Sequence, residues 1–207
     1  MASSAWKTHP AQTDIRVLRV PSQAQPDSEN KCLVYAIWDV LHFVAEWHPL
    51  RWVQDRTPKL DVAEIEAEMT IREAGWIPDT PGEELALSER TGPIKFVHRY
   101  WESSPESVSF YELIEEKLEK DLPTIAIIDH KRLRDGTAGE GPVHSVVVTG
   151  LSDSKVIIND PWGHQYEIFN KQDFVDAWNA RDINQIIRVD IAEQSTLQQS
   201  LPTGGQS

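Results

Sequence analysis

The sequence is poor in cysteine and has no long apolar run. A single cysteine among 207 residues cannot form an internal disulfide, which favours a reducing compartment. No apolar stretch reaches the roughly 18 residues that a bilayer-spanning helix needs. The first residues also lack the apolar segment of a secretory signal. We therefore expect a cytoplasmic protein without a membrane span.

Positive charge is also scarce, and this argues against two classes of partner. The chain has 20 Lys and Arg residues against 33 Asp and Glu residues, so its formal net charge is −13. Nucleic-acid phosphates and anionic lipid surfaces both repel such a chain. Hydrophobic residues make up 40% of the sequence and charged residues 26%, which is typical of a globular domain with a core.

The chain is predicted to form one domain with two loose ends. Residues 1–13 are polar and have no period, which predicts a flexible N-terminal arm. Residues 193–207 are rich in Gln, Ser, Thr and Gly, which predicts a disordered C-terminal tail. No linker or repeat is evident between them, so residues 14–192 are predicted as a single domain. The sequence does not indicate an oligomeric state.

The first half of this domain has the period of helices. Residues 32–47 contain no Gly or Pro, and their apolar residues recur at i, i+3 and i+4 around a narrow polar stripe. A helix that is apolar on nearly every side is a buried central helix. Two further helices are predicted over 61–75, with Asp61 and Glu64 forming a capping box, and over 109–122.

The second half changes to the period of strands. Short β-rich runs lie at 124–128, 145–149, 156–158 and 186–191, and turn residues bound them. A short helix capped by Asn170 precedes the last run. Helices followed by a mostly antiparallel sheet predict an α+β fold, with the buried helix packed on the sheet.

Three residues at the ends of these elements could form a nucleophilic site. Cys32 begins the buried helix, whose dipole favours a thiolate. His144 begins one strand and Asp160 ends the next, so a hairpin would place the carboxylate beside the imidazole. Each residue also has a structural interpretation, as a small buried hydrophobe, a strand histidine and a turn opener. Together they would supply nucleophile, base and orienting group.

No metal or other cofactor is expected. Asp129, His130, Asp160 and His164 are of ligand type, but no His-x-x-x-His or Cys-x-x-Cys spacing accompanies them.

The second half also carries a pattern of motifs. One strand starts at His144 and ends in Gly150, the next ends in Asp160-Pro161, and the following helix carries Phe174 and Trp178. This pattern resembles the bacteriocin-processing, double-glycine peptidases, which are papain-like cysteine peptidases. The resemblance implies a papain-like fold and hydrolysis of a peptide bond, with Cys32 on the nucleophile helix.

Two positions depart from that family's pattern. The family usually has Gly-Pro after the nucleophile, where this chain has Leu33 and Val34. The family also has a glutamine six residues before the cysteine, whose amide helps to bind the oxyanion. Position 26 is a proline here, and Gln25 is one residue further from the cysteine. Gln25 is therefore the expected oxyanion residue.

The sequence thus favours a thiol protease that hydrolyses a peptide or protein substrate, in this family often after Gly-Gly. Its expected catalytic residues are Cys32, His144 and Asp160. The two departures leave open a catalytically inactive papain-like module that binds a peptide or partner protein. An amidase or isopeptidase that acts on a protein modifier would use the same triad and is a second alternative.

Overall fold

The computed structural model describes residues 4–26, 30–69, 84–101, 107–137, 143–180 and 183–192. The strands within them are β1 Trp6–Thr8, β2 Arg16–Leu18, β3 Ile94–Tyr100, β4 Thr124–Asp129, β5 Val143–Leu151, β6 Lys155–Asp160, β7 His164–Asn170 and β8 Gln185–Ile191. The helices are α1 Cys32–Trp47, α2 Arg51–Arg56, α3 Val62–Glu68, α4 Ser107–Glu119, α5 His130–Asp135 and α6 Lys171–Asn179, with a 3₁₀ turn at Ala86–Glu89. None of the helices in these ranges is long and apolar enough to cross a membrane.

Six strands form one sheet in the order β3-β8-β4-β5-β6-β7, and every neighbouring pair is antiparallel. Strands β4 and β5 in its middle are buried along almost their whole length, and most of their residues are β-branched or small. Strands β1 and β2 pair separately as a two-stranded sheet. The predicted α+β fold with a mostly antiparallel sheet is confirmed.

Helix α1 has the predicted bounds and lies in the core. It packs against β5, α2 and α3. Its buried side chains are Leu33, Val34, Tyr35, Ala36, Ile37, Asp39, Val40, Leu41, Phe43 and Val44. A second part of the core lies where α4 and α6 meet β4, with the ring of Phe110 stacked on Trp178 at a centroid distance of 4.1 Å. Helices thus pack on the sheet in two places, α1 on β5 and α4 with α6 on β4.

The other predicted helices differ from the structure at their ends. Asp61 and Glu64 form the predicted capping box at the start of α3. This helix ends at Glu68 rather than at residue 75, and residues 70–83 lie outside the described ranges. Helix α4 begins two residues earlier than predicted, at Ser107. Asn170 is at the predicted N-cap position of α6, but its side chain makes no capping hydrogen bond and instead donates to Asp173 Oδ2 at 2.9 Å.

The N-terminal segment contains more structure than the expected flexible arm. Trp6–Thr8 pairs with Arg16–Leu18, and the indole N–H of Trp6 donates to Asp121 Oδ1 at 2.5 Å. His9 is buried, with Nε2 2.7 Å from the carbonyl of Tyr166. A three-residue strand is too short to show a period, so only its tertiary contacts reveal it. The predicted tail, 193–207, lies outside the described residues, and the single-domain assignment stays a prediction.

Candidate active site

The fold brings the three predicted catalytic residues together from two different layers. Cys32 is the first residue of α1, while His144 lies at the start of β5 and Asp160 at the end of β6. Strands β5 and β6 form an antiparallel hairpin, with Val147 opposite Asn159. The start of one strand therefore lies beside the end of the other, as the sequence predicts.

These residues form a row of hydrogen bonds. His144 Nε2 lies 2.6 Å from Asp160 Oδ1, and both residues are buried. This leaves Nδ1 as the ring nitrogen for Cys32, with which His144 makes a side-chain hydrogen bond. The backbone N–H of Ser145 also donates to Cys32 Sγ at 3.4 Å. Cys32 as a residue is partly exposed, whereas its two partners in this row are buried.

The same contacts shift the pKa values of all three groups. Burial raises the pKa of the Cys32 thiol, but the hydrogen bond and the positive charge of His144 outweigh it, so the pKa lies below its usual value. Burial lowers the pKa of His144, while the bonds to Asp160 and Cys32 raise it to about 9. The pKa of Asp160 is raised by burial, yet hydrogen bonds from His130 and His144 hold it well below its usual range. At neutral pH the arrangement favours a thiolate beside an imidazolium.

Trp162 covers the bond between His144 and Asp160. Its ring lies 4.4 Å from the His144 ring, centroid to centroid, and its backbone N–H donates to Asp160 Oδ1 at 2.9 Å. The tight turn after Asp160 closes with the N–H of Gly163 on the Asp160 carbonyl, and Gly163 has a φ of 97°, which favours glycine. Trp162 is 41% exposed while His144 and Asp160 are buried, so its ring lies between the buried pair and solvent.

The sequence analysis missed Arg134 and Glu167, which extend this row. Arg134 Nη2 donates to Asp160 Oδ2 at 2.9 Å, and Arg134 also forms an ion pair with Glu167. His130 Nε2 lies 3.3 Å from the same Asp160 oxygen. The available signal was the four-residue spacing of His130 and Arg134, which places them on one face of a helix. Helix α5 has only Leu133 buried, so no apolar period revealed it.

His130, His144 and Asp160 are also of ligand type for a metal. Their candidate ligand atoms lie within 4.8 Å of one another. The guanidinium of Arg134 already balances the charge of Asp160 at 2.9 Å, which disfavours a second cation there. Asp129 is the N-cap residue of α5 and accepts the backbone N–H of Arg132, so one of its carboxylate oxygens stabilises the start of that helix.

Two groups are candidates for oxyanion donors, the backbone N–H of Cys32 and the side chain of Gln25. The N–H of Tyr35 donates to the carbonyl of Lys31, just before α1. Cys32 precedes Tyr35 in the first turn of α1, where backbone N–H groups have no acceptor within the helix. Gln25 is buried, and its backbone N–H donates to the carbonyl of Pro161 at 2.6 Å. Gln25 therefore lies beside the loop that follows Asp160. Residues 27–29, which connect it towards Cys32, lie outside the described ranges, and its oxyanion role stays a prediction.

The two residues that replace the family's Gly-Pro are part of the core. Leu33 and Val34 are 3% and 2% exposed and belong to the main hydrophobic cluster. Their side chains therefore pack in the core and do not occupy the surface around the Cys32 sulfur.

Comparison with known proteins identifies the family and the fold. The chain matches the model of the Peptidase_C39 like family over residues 17–184. Its fold is similar to the crystal structure of a Bacillus anthracis protein assigned as a C39-like peptidase, with a TM-score of 0.55 and 17% identity, over 84% of this chain and 96% of that chain. No curated protein has a significant sequence match. C39 is the bacteriocin-processing peptidase family, so the resemblance found in the sequence is confirmed. Since the match covers most of the sequence, this chain belongs to the Peptidase_C39 like family.

Proposed function

We propose that the protein is a cysteine peptidase in which Cys32 is the nucleophile, His144 the general base and acid, and Asp160 the residue that orients His144. The observation that carries the proposal is the row of contacts from Cys32 through His144 to Asp160, which ends in a 2.6 Å hydrogen bond. Such a row is the requirement for nucleophilic catalysis by a thiol. The family match supports a peptidase at the level of reaction class.

The acylation step follows from the charges of the pair. The Cys32 thiolate attacks the carbonyl carbon of the scissile bond, and the carbonyl π electrons move to the oxygen. As the intermediate collapses, His144 donates its Nδ1 proton to the leaving amine, and the C–N bond breaks. The products are a thioester on Cys32, a free amine and a neutral His144 that still bonds to Asp160 through Nε2.

Deacylation reverses the role of His144. Neutral His144 removes a proton from a water molecule, and the resulting hydroxide attacks the thioester carbonyl. The C–S bond breaks, the carboxylic acid leaves, and the Cys32 thiolate beside protonated His144 is restored. Both tetrahedral intermediates place negative charge on an oxygen, for which we propose the N–H of Cys32 and the side-chain amide of Gln25 as donors.

The proposed substrate is a peptide or protein cut after Gly-Gly. The family relationship supports this preference, because the C39 family processes bacteriocin precursors. Glycine lacks a side chain, so a Gly-Gly segment can pass closer to the nucleophile than any other dipeptide. The ring of Trp162 contacts His144 and is 41% exposed, so we propose that its exposed part offers an apolar surface for the leaving segment.

The test compares fluorogenic peptides that contain Gly-Gly or Ala-Ala at the scissile position. We expect the wild-type protein to cleave the Gly-Gly peptide faster, and Cys32→Ala and His144→Ala to abolish cleavage without a change in melting temperature. His164→Ala is the matched control, because His164 is an exposed histidine in the following strand. A Cys32→Ala protein that cleaves the peptide as fast as wild type would disprove the proposal.

The two alternatives predict different results with a thiol-alkylating probe. Fast alkylation of Cys32 that depends on His144, without cleavage of any peptide, would favour an amidase or isopeptidase, for which an ε-amide-linked lysine substrate is the next assay. Slow alkylation, equal in wild type and His144→Ala, would favour a papain-like binding module.

A further inference from the structure

Asp160 has partners on both of its carboxylate oxygens, and only one side belongs to the triad. Oδ1 accepts from His144 Nε2 at 2.6 Å and from the Trp162 N–H at 2.9 Å. Oδ2 accepts from Arg134 Nη2 at 2.9 Å, and His130 Nε2 lies 3.3 Å away. A rotation of the carboxylate would break bonds at both oxygens together. Arg134 therefore restrains the oxygen that His144 uses.

Neighbours outside the triad hold Arg134 itself. Its two terminal nitrogens donate to the two carboxylate oxygens of Glu167 on β7, with Nη1 2.6 Å from Oε1. Its guanidinium carbon lies 5.2 Å from the centre of the Phe169 ring. The planar guanidinium reaches two carboxylates at once, which the single ammonium of a lysine cannot do in the same geometry.

The charges along this row alternate in sign. With Cys32 as thiolate and His144 protonated, the order is Cys32 negative, His144 positive, Asp160 negative, Arg134 positive and Glu167 negative. His144 becomes neutral when it gives its proton to the leaving amine. Asp160 is 0% exposed, so without another cation it would then be a buried, uncompensated carboxylate. Arg134 keeps its charge throughout the cycle.

We propose that Arg134 is a positioning residue of the triad, which fixes the orientation of Asp160 and balances its charge while His144 gains and loses a proton. Glu167 in turn holds the guanidinium of Arg134. This inference rests on the proposed function, because it assigns Arg134 a role in that catalytic cycle.

The test is the Arg134→Ala variant with guanidinium added back. Peptide cleavage gives kcat and KM, and iodoacetamide gives the alkylation rate of Cys32 at neutral pH, each with and without millimolar guanidinium chloride at constant ionic strength. Charged hydrogen bonds of this kind are strong enough that we expect kcat to fall about tenfold or more and KM to stay within about twofold. Alkylation should slow by about threefold or more, because a loosened Asp160 stabilises the imidazolium less. Guanidinium should restore part of both rates, and urea, which is uncharged, should not.

Arg132→Ala is the matched control. Arg132 lies on the same short helix, and it pairs with Asp176 at 3.2 Å instead of with Asp160. We expect this variant to keep wild-type rates and to show no response to guanidinium. Arg134→Lys is the second variant, because it retains the charge and leaves no space for guanidinium. It should lose part of the activity and show no rescue.

The outcomes separate this inference from the proposed function. An intact Arg134→Ala protein with wild-type rates, or with reduced rates that guanidinium does not restore, would overturn the positioning role. If Arg134→Ala does not fold, Arg134→Lys decides, and wild-type rates in that variant would overturn it. If the wild-type protein cleaves no peptide, but guanidinium restores slowed alkylation in Arg134→Ala, the proposed function fails and the positioning role stands.

Discussion

The raised pKa of His144 predicts where activity ends on the alkaline side. Acylation needs a protonated His144 to donate to the leaving amine. The pKa of His144 is raised from 6.5 to about 9, so the imidazolium persists below that value and is lost as the pH rises through it. At one pH unit above the pKa about a tenth of the imidazolium remains, so kcat/KM should be about tenfold below its plateau at pH 10.

Two measurements on the same protein check this assignment. The first is kcat/KM for a peptide substrate, which we expect to fall above about pH 9. The second is the rate of alkylation of Cys32 by iodoacetamide, which depends on the thiolate and should not fall over the same range. The difference between the two curves isolates the proton on His144, since both measurements depend equally on the thiolate.

Asp160→Asn provides the comparison for this pH dependence. The amide can still orient the ring, so a small residual activity should remain, but it lacks the charge that helps to raise the pKa of His144. We expect the alkaline fall of kcat/KM to move down by about one pH unit or more. An alkaline fall near the ordinary histidine pKa in the wild-type protein, or no movement in Asp160→Asn, would refute the reasoning.

Three further substitutions test the packing around the site. Gly150→Ala places a Cβ 2.8 Å from the Arg16 carbonyl oxygen, and we expect a loss of about 1–3 kcal/mol in urea denaturation; unchanged stability would contradict this close approach. Trp178→Ala removes a fully buried ring that stacks on Phe110, and we expect the free energy of unfolding to fall by about 3–5 kcal/mol in the same assay. A fall below about 1 kcal/mol would contradict this role of the ring in the core. Trp162→Ala should lower kcat/KM with little change in melting temperature, since this ring is 41% exposed, and Trp162→Phe should retain more activity; equal activity in all three proteins would show that the ring does not protect the triad.

The central elements could be predicted from the sequence because burial leaves a strong pattern. Helix α1 is buried on nearly all sides, and its sequence has no helix breaker, so its predicted bounds agree with the structure. Strand β4 and residues 156–158 of β6 are apolar runs, which is the pattern of a strand buried on both faces. The capping box of α3 was visible because it depends on two residues three positions apart.

The edge strand β7 and the shortest elements could not be predicted in the same way. Strand β7 is half polar and contains Tyr166, whose φ of 57° is unusual for a strand residue. Strands β1 and β2 have three residues each, and helix α5 has six. Elements of this length form because tertiary contacts hold them, and such contacts leave no period in the sequence.

The candidate site shows the same division. His144 and Asp160 could be placed together because one hairpin determines the relation between their strands. Arg134 reaches Asp160 from a short helix outside that hairpin, and its spacing from His130 places the two on one helix face without indicating which residue they contact. The position of the Gln25 segment likewise depends on a backbone contact with Pro161, which sequence distance alone does not reveal.

The nucleophile and its base belong to different layers of the molecule. The rate of catalysis therefore depends on the packing of these layers and not only on secondary structure. His144 and Asp160 share one hairpin, so their distance survives as long as that hairpin does. Cys32 is carried by α1, whose position against β5 depends on the packing of the whole core. A partly loosened state that keeps its helices and strands can therefore retain its far-UV circular dichroism spectrum after its turnover has been lost.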